Sequence, residues 1–173
     1  MNNYRAFTLT DDANCMISYY LTPQRWIDNC IDKTNPIVDE KNWADEIKYL
    51  DVDNKNISDE IKNIPNNTGG VYMFFIKGIN LPFIEKYIVY VGRCKYTPTQ
   101  NIRKRAMEYF NDNRPFVKQM FNRWKEYLYY RYFPDTNNDN IDKNEAMLIR
   151  AILPPFNEQI PDKIEPRATV SAF

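Results

Sequence analysis

The chain has 173 residues, with 23 Lys+Arg against 23 Asp+Glu, three cysteines and no histidine. Such a length holds one domain with an appended segment, since domains cluster near roughly 100 to 150 residues. Without histidine there is no Ser-His or Cys-His relay and no imidazole-ligated zinc, so any general base must be Tyr, Lys, Asp or Glu.

Cys15, Cys30 and Cys94 include no C-x-x-C pair and are odd in number, a pattern of free thiols in a reducing compartment. The N-terminus has no basic-then-apolar leader, and no apolar run approaches the roughly 18 to 20 residues of a membrane span, so a cytoplasmic location is expected. Charge is unevenly spread: residues 1–65 carry 7 Lys/Arg against 12 Asp/Glu, whereas Lys86 to Arg131 carries 11 basic against 3 acidic residues. The basic stretch is interleaved with Tyr90, Tyr96, Tyr109, Phe110, Trp124 and Tyr130. Such a mixture marks either a surface that meets a phosphate backbone or a solvated helix face.

In chain order, Thr22-Pro23 has the form of an N-cap followed by proline at the first helical position, and Trp43, Ile47 and Leu50 recur at helical spacing. Residues 1–65 are therefore expected to form an acidic, mainly helical extension. Asn66-Asn67-Thr68-Gly69-Gly70 is a turn signal that closes it. Val71 to Ile76 and Tyr87 to Val91 are short apolar or aromatic runs that predict paired strands. Ile102, Ala106, Tyr109 and Phe110 then predict one helix, and Phe116, Val117, Met120, Phe121 and Trp124 a second. Tyr127 to Phe133 predicts a third strand. A last helix carries Ile141, Leu148, Ile149 and Ile152, with Asp139 or Asp142 as its cap and Pro154-Pro155 as its stop. Residues 161–173 are expected to be an extended tail.

Five elements recur in one order: Gly70-Val71-Tyr72 on the first strand, Tyr90-Val91-Gly92 on the second, Arg103-Lys104-Arg105 opening a helix, Glu145 in the last helix, and Pro155-Phe156-Asn157 after it. This set resembles the GIY-YIG nuclease superfamily over roughly residues 69–158. The resemblance implies an α+β fold at 66–160 with a small central three-stranded antiparallel sheet flanked by helices. It also implies a metal-dependent endonuclease acting on nucleic acid, DNA before RNA, that leaves 5′-phosphate and 3′-hydroxyl ends. The long Tyr72-to-Tyr90 interval and the insertion at Lys95 to Asn101 point to the restriction-like or mobile-element branches rather than to the excision-repair incision subunit.

The residues themselves bear on the roles. Glu145 shares the apolar stripe of the last helix, where a carboxylate needs a partner: an arginine or a metal ion. Arg103 and Arg105 lie on opposite borders of their helix's apolar face, and the family register selects Arg105, whose guanidinium can hold two phosphate oxygens at once. Tyr72 and Tyr90 taken singly would be ordinary core aromatics. The resemblance makes Tyr72 the general base and Tyr90 a second hydroxyl, with Arg105, Lys95 or a metal favouring the phenolate. It makes Glu145 the ligand of Mg²⁺, for which Mn²⁺ substitutes, and Gly92, Lys95 and Asn157 supporting residues. Arg93, Arg103, Lys104, Lys118 and Arg123 are the basic side chains expected to meet the nucleic acid. Cutting both strands would call for a homodimer or sequential action. A catalytically idle binding module on the same scaffold is the alternative. The segment Asp135-x-Asn137-x-Asp139 begins like a calcium loop, but its turn glycine is replaced by Asn140 and its twelfth position is Ala146.

Overall fold

Neighbouring residues of Val71-Tyr72-Met73-Phe74 point to opposite faces, so a strand built from them is apolar on both sides and has to be covered twice. The computed structural model, which describes residues 31–81 and 84–161, shows that double cover. Strands β1 (Ile47–Lys48), β2 (Gly69–Leu81), β3 (Ile84–Cys94) and β4 (Leu128–Asp135) form one antiparallel sheet in the order β1-β4-β2-β3. The helices are α1 (Asp59–Lys62), α2 (Ile102–Glu108), α3 (Pro115–Trp124) and α4 (Asn138–Ile152), and the fold is α+β. On one face Tyr72, Phe74, Tyr90 and Tyr130 pack with Ile61, Ile102, Ala106, Val117 and Met120. On the other, Val71 and Val91 pack with Ile37, Ile141, Leu148 and Ile149.

Local signals set the helix limits. Asn101 caps α2 by accepting from the Lys104 amide at 3.0 Å, Pro115 stands in the first turn of α3, and α4 ends where Leu153 turns left-handed (φ 53°) ahead of Pro154. The cap of α4 is Asn137, not Asp139 or Asp142: its side chain accepts from the amides of Asp139 and Asn140. That capping also accounts for the acidic cluster that begins like a calcium loop.

Two expectations need correction. The sheet has a fourth strand, and the helix expected from Trp43, Ile47 and Leu50 does not form. Ile47 and Lys48 instead pair with Tyr130 and Tyr129, because β4 offers an open edge and a two-residue strand satisfies it. Before it, Asn35 and Asp39 cap the short 3₁₀ turns Pro36–Val38 and Glu40–Asn42 with their own side chains, a local competitor to helix. After it, Leu50 bridges to Ile57 around a turn with Asn54 at φ 55°. Residues 31–65 thus build the core through Ile37, Tyr49, Leu50, Ile61 and Ile64, all at most 4% exposed, rather than standing beside it as a helical extension. The helix expected at Thr22-Pro23 and the tail beyond residue 161 lie outside the described residues.

Gly69 and Gly70 are strand, not turn. A Cβ on Gly70 would come within 2.1 Å of the Phe133 carbonyl, so β2 and β4 close up only over glycine. The acidic segment is tied to the sheet: Glu46 pairs with Lys77 of β2 at 2.6 Å and with Lys86 of β3, and Glu40 pairs with Arg131 of β4 at 2.6 Å. Among the described residues no helix is long and apolar enough to cross a membrane.

Ile141 is fully buried where α4 meets Val71 and Val91. Ile141→Ala should lower unfolding free energy by about 2 to 5 kcal/mol, as large-to-small core changes do, measured by urea denaturation. A loss below about 1 kcal/mol would show that α4 is not anchored there.

Candidate active site

Tyr72 on β2, Tyr90 on β3 and Tyr109, just after α2, meet in one aromatic cluster, with ring centres 5.7 to 6.5 Å apart. Alternation puts Tyr90 and Gly92 on the same face, and the register sets Tyr72 opposite Gly92. A Cβ on Gly92 would lie 2.7 Å from Cζ and Oη of Tyr72 and 2.8 Å from Tyr90. Glycine is therefore what lets the Tyr72 ring lie across the edge strand.

The Tyr72 and Tyr109 hydroxyls are 2.7 Å apart, and Arg105 Nε donates to the Tyr72 hydroxyl at 3.1 Å. Arg105 also donates to Glu108 at 3.1 Å and to the Tyr109 hydroxyl at 3.4 Å, and its guanidinium lies 4.9 Å from the Tyr109 ring centre. The inward-looking arginine is Arg105. Arg103 turns away, donating from Nε to the Ile64 carbonyl and fastening α2 to the segment after α1, while Lys104 is exposed and donates to the Thr99 carbonyl at 2.9 Å. Two backbone clamps seat α2: Tyr49 Oη donates to the Ala106 carbonyl at 2.7 Å, and the Ile102 amide donates to the Thr68 carbonyl at 2.9 Å.

Glu145 projects from α4 to β3, where Arg93 Nη1 bonds its carboxylate. Arg93 Nε lies 3.0 Å from Asp142, one helical turn before Glu145, and Lys95 pairs with Asp142 at 2.8 Å. Arg93 and Lys95 are thus engaged by α4 carboxylates, whereas Lys104, Lys118 and Arg123, of the basic residues expected to meet nucleic acid, stand exposed. Arg105 lies close enough for its charge to act on Glu145 as well. Asn157 braces the same strand from outside: its Nδ2 donates to the Val91 carbonyl at 2.7 Å and its Oδ1 accepts from the Val91 amide at 2.9 Å.

Burial opposes charge at the central groups. It pushes Tyr72 well above the usual phenol range, reinforced by Tyr109 and Tyr90, with Arg105 pulling the other way and losing. Tyr90 is likewise pushed up by burial and then by Tyr109. The expectation that neighbouring positive charge brings these phenols down is therefore not met by the protein's own residues. Glu145 is raised by burial against the attraction of Arg93.

Among the described residues no group of three or more Asp, Glu or Cys converges, so a caged zinc or calcium site is not present there. A Mg²⁺-type ion needs less, taking one or two carboxylates and keeping several waters. Glu145 fits that demand, and Asp142 stands one turn before it with both carboxylate oxygens ion-paired, Oδ1 to Arg93 and Oδ2 to Lys95. The cleft of about 610 Å³ between Asn35, Phe133, Asn144 and Met147 contains none of these residues.

Tyr109 escaped the sequence reading as a site residue. It stands four residues after Arg105, and that i, i+4 spacing is the signal that would have found it.

No family model matches the chain, and no curated protein is similar to it. Among solved structures, it is similar to the GIY-YIG N-terminal endonuclease domain of UvrC from Thermotoga maritima in three Tyr-to-Phe point-mutant forms, each bound to its catalytic divalent cation. Two of these are 17% identical with TM-scores of 0.41, covering 58% of this chain and 98% and 99% of theirs. The third is 19% identical with a TM-score of 0.39 and covers 58% of this chain and 98% of its own. What the site can do follows from its own residues.

The raised Glu145 gives a test with a definite sign. A carboxyl whose folded value lies above its ordinary 4.5 contributes stability that is complete below that value and is lost as pH rises through the folded value. Glu145→Gln should therefore be more stable than the native chain at neutral pH, with the difference closing in acid. Urea denaturation at both pH values checks this, and a variant less stable at neutral pH would show that the Arg93 pair outweighs burial.

Proposed function

We propose that the protein is a metal-dependent endonuclease of GIY-YIG type that hydrolyses DNA phosphodiester bonds, with Tyr72, Tyr90, Arg105 and Glu145 as its chemical groups. The observation that carries this reading is the buried hydroxyl of Tyr72 shared between the Tyr109 hydroxyl and the Arg105 guanidinium. An ordinary core tyrosine does not need an arginine held against it inside an aromatic cluster.

Water is the nucleophile. Tyr72, deprotonated, takes a proton from it, and the Arg105 guanidinium, already within 3.1 Å of that oxygen, favours the charged form. Arg105 then steadies charge that builds on the phosphoryl oxygens, a planar fork suited to two of them. Glu145 would hold one Mg²⁺, or Mn²⁺ in its place, and the ion would supply positive charge to offset that building on the phosphate. Gly92 and Asn157 keep Tyr72 and β3 in register, Lys95 holds Asp142 one turn from Glu145, and Lys104, Lys118 and Arg123 contact the phosphate backbone. Arg93, released from Glu145, and Arg103 border the same surface. The products carry 5′-phosphate and 3′-hydroxyl ends. One site cuts one strand, so double-strand breaks require a homodimer or two successive events. The long β2–β3 hairpin and the Lys95 to Asn101 loop support the restriction-like or mobile-element branch of the family.

Supercoiled plasmid incubated with Mg²⁺ or Mn²⁺ should be nicked or linearised, and EDTA should stop the reaction. Glu145→Ala and Tyr72→Phe should each lower the rate by at least about 100-fold. Salt-sensitive binding without cutting would leave a binding module, and cutting that survives Glu145→Ala would place the site elsewhere. Because burial raises Tyr72, its charged form is scarce at neutral pH. The native rate should accordingly climb close to tenfold per pH unit on the neutral-to-alkaline side, and the residual rate of Tyr72→Phe should not. A flat native profile would remove Tyr72 as the base.

A further inference from the structure

Arg105 is not alone against the tyrosines. Arg114, where the chain enters α3, sets its guanidinium 5.5 Å from the Tyr109 ring centre and 4.8 Å from that of Phe116. Phe116 in turn stacks on Tyr90 at 5.8 Å with 20° between the ring planes. Arg114 is held in this pose by Asp112: Nε lies 2.9 to 3.0 Å from both carboxylate oxygens, Nη2 bonds Oδ2 at 2.5 Å, and the backbone amide adds a fourth bond at 2.9 Å. A surface ion pair alone needs no such lock, and exposed pairs contribute little to stability. Stacked over two rings, the guanidinium is worth more, because cation–π attraction fixes ring and cation together.

We propose that Arg114, locked by Asp112, is a positioning residue for the tyrosine cluster, holding the Tyr109 ring in place and setting a second guanidinium charge beside it. This rests on the endonuclease reading of the same site. The titratable and charged groups that face the cluster are Arg105 and Glu108 from α2, Asp112 and Arg114 from the turn into α3, Tyr49 after β1, Cys94 from β3 and Tyr130 from β4. The cations among them are Arg105 and Arg114. They are placed differently: Arg105 grips the Tyr72 hydroxyl, whereas Arg114 acts through Tyr109 and toward Tyr90, whose phenol its charge favours in the ionised form. Arg114 keeps 40% of its side chain exposed, so it borders solvent where Arg105 is more enclosed.

The test compares the native chain with Arg114→Gln, Arg114→Lys and Asp112→Asn in single-turnover plasmid nicking across pH, beside DNA affinity without metal and thermal stability. Arg114→Gln should lower the nicking rate roughly tenfold with DNA affinity nearly unchanged, its pH–rate line lying about one pH unit to the alkaline side of the native line across the neutral-to-alkaline range. Arg114→Lys should recover part of the rate by restoring charge without the planar stack, and Asp112→Asn should show the same displacement, smaller. An unmoved pH curve, with only stability or DNA affinity lowered, overturns the proposal. An inactive native chain overturns the endonuclease reading instead. In that case near-ultraviolet circular dichroism at neutral pH still decides: Arg114→Gln should change the tyrosine signal about as much as Tyr109→Phe does, and a spectrum superimposable on the native one overturns the inference.

Discussion

A buried hydroxyl has to find a partner, and the arrangement around Tyr72 is the answer to that one demand. Gly92 leaves the space in which the ring lies, the Tyr109 hydroxyl meets it at 2.7 Å, and Arg105 donates from the third side. Each partner fixes an element. Tyr109 and Arg105 set where α2 ends, the Tyr49 bond to the Ala106 carbonyl pulls the β1 segment against that helix, and Gly92 sets the register of the edge strand. Moving β2 by one residue would turn Tyr72 to the other face, and moving β3 by one would turn Gly92 and Tyr90 away from it; either slip undoes these contacts.

Around this point the charges sort by face. The aromatic side holds the guanidinium groups of Arg105 and Arg114 with their ion-pair partners, Glu108 and Asp112. The α4 side holds Asp142 and Glu145, matched by Arg93 and Lys95. Arg105 is the group whose charge is felt on both sides. Away from the site, Glu40 and Glu46 are engaged by Arg131 of β4 and by Lys77 and Lys86 of the β2–β3 hairpin.

Much of the fold was legible because its elements obey simple periods. The β2 and β3 runs, the apolar faces of α2 and α3 and the stripe of α4 all appear where spacing places them. What spacing missed has a common cause. Ile47-Lys48 is too short to show any period, and its strand character comes entirely from the edge of β4, 80 residues away in sequence. Trp43, Ile47 and Leu50 mimic a helix because three apolar residues separated by turns can fall at that interval by chance. In the site, Tyr72, Tyr90, Arg105 and Glu145 stood out by order along the chain. Tyr109 did not, since a tyrosine on an apolar helix face looks like core until its hydroxyl is seen against another. Arg93 and Arg103 were expected to meet the nucleic acid, and only tertiary structure reveals the protein partners that their donors hold.

The two hydrogen bonds between the Asn157 side chain and the Val91 backbone, with the Phe156 amide on the Val89 carbonyl at 3.0 Å, repeat what a fifth strand would do beside Gly92. They are supplied from beyond α4, by two of the last described residues. Until these residues are in place the outer rim of β3 offers its backbone amides and carbonyls to any extended chain, so the segment after α4 covers an edge that would otherwise invite another strand.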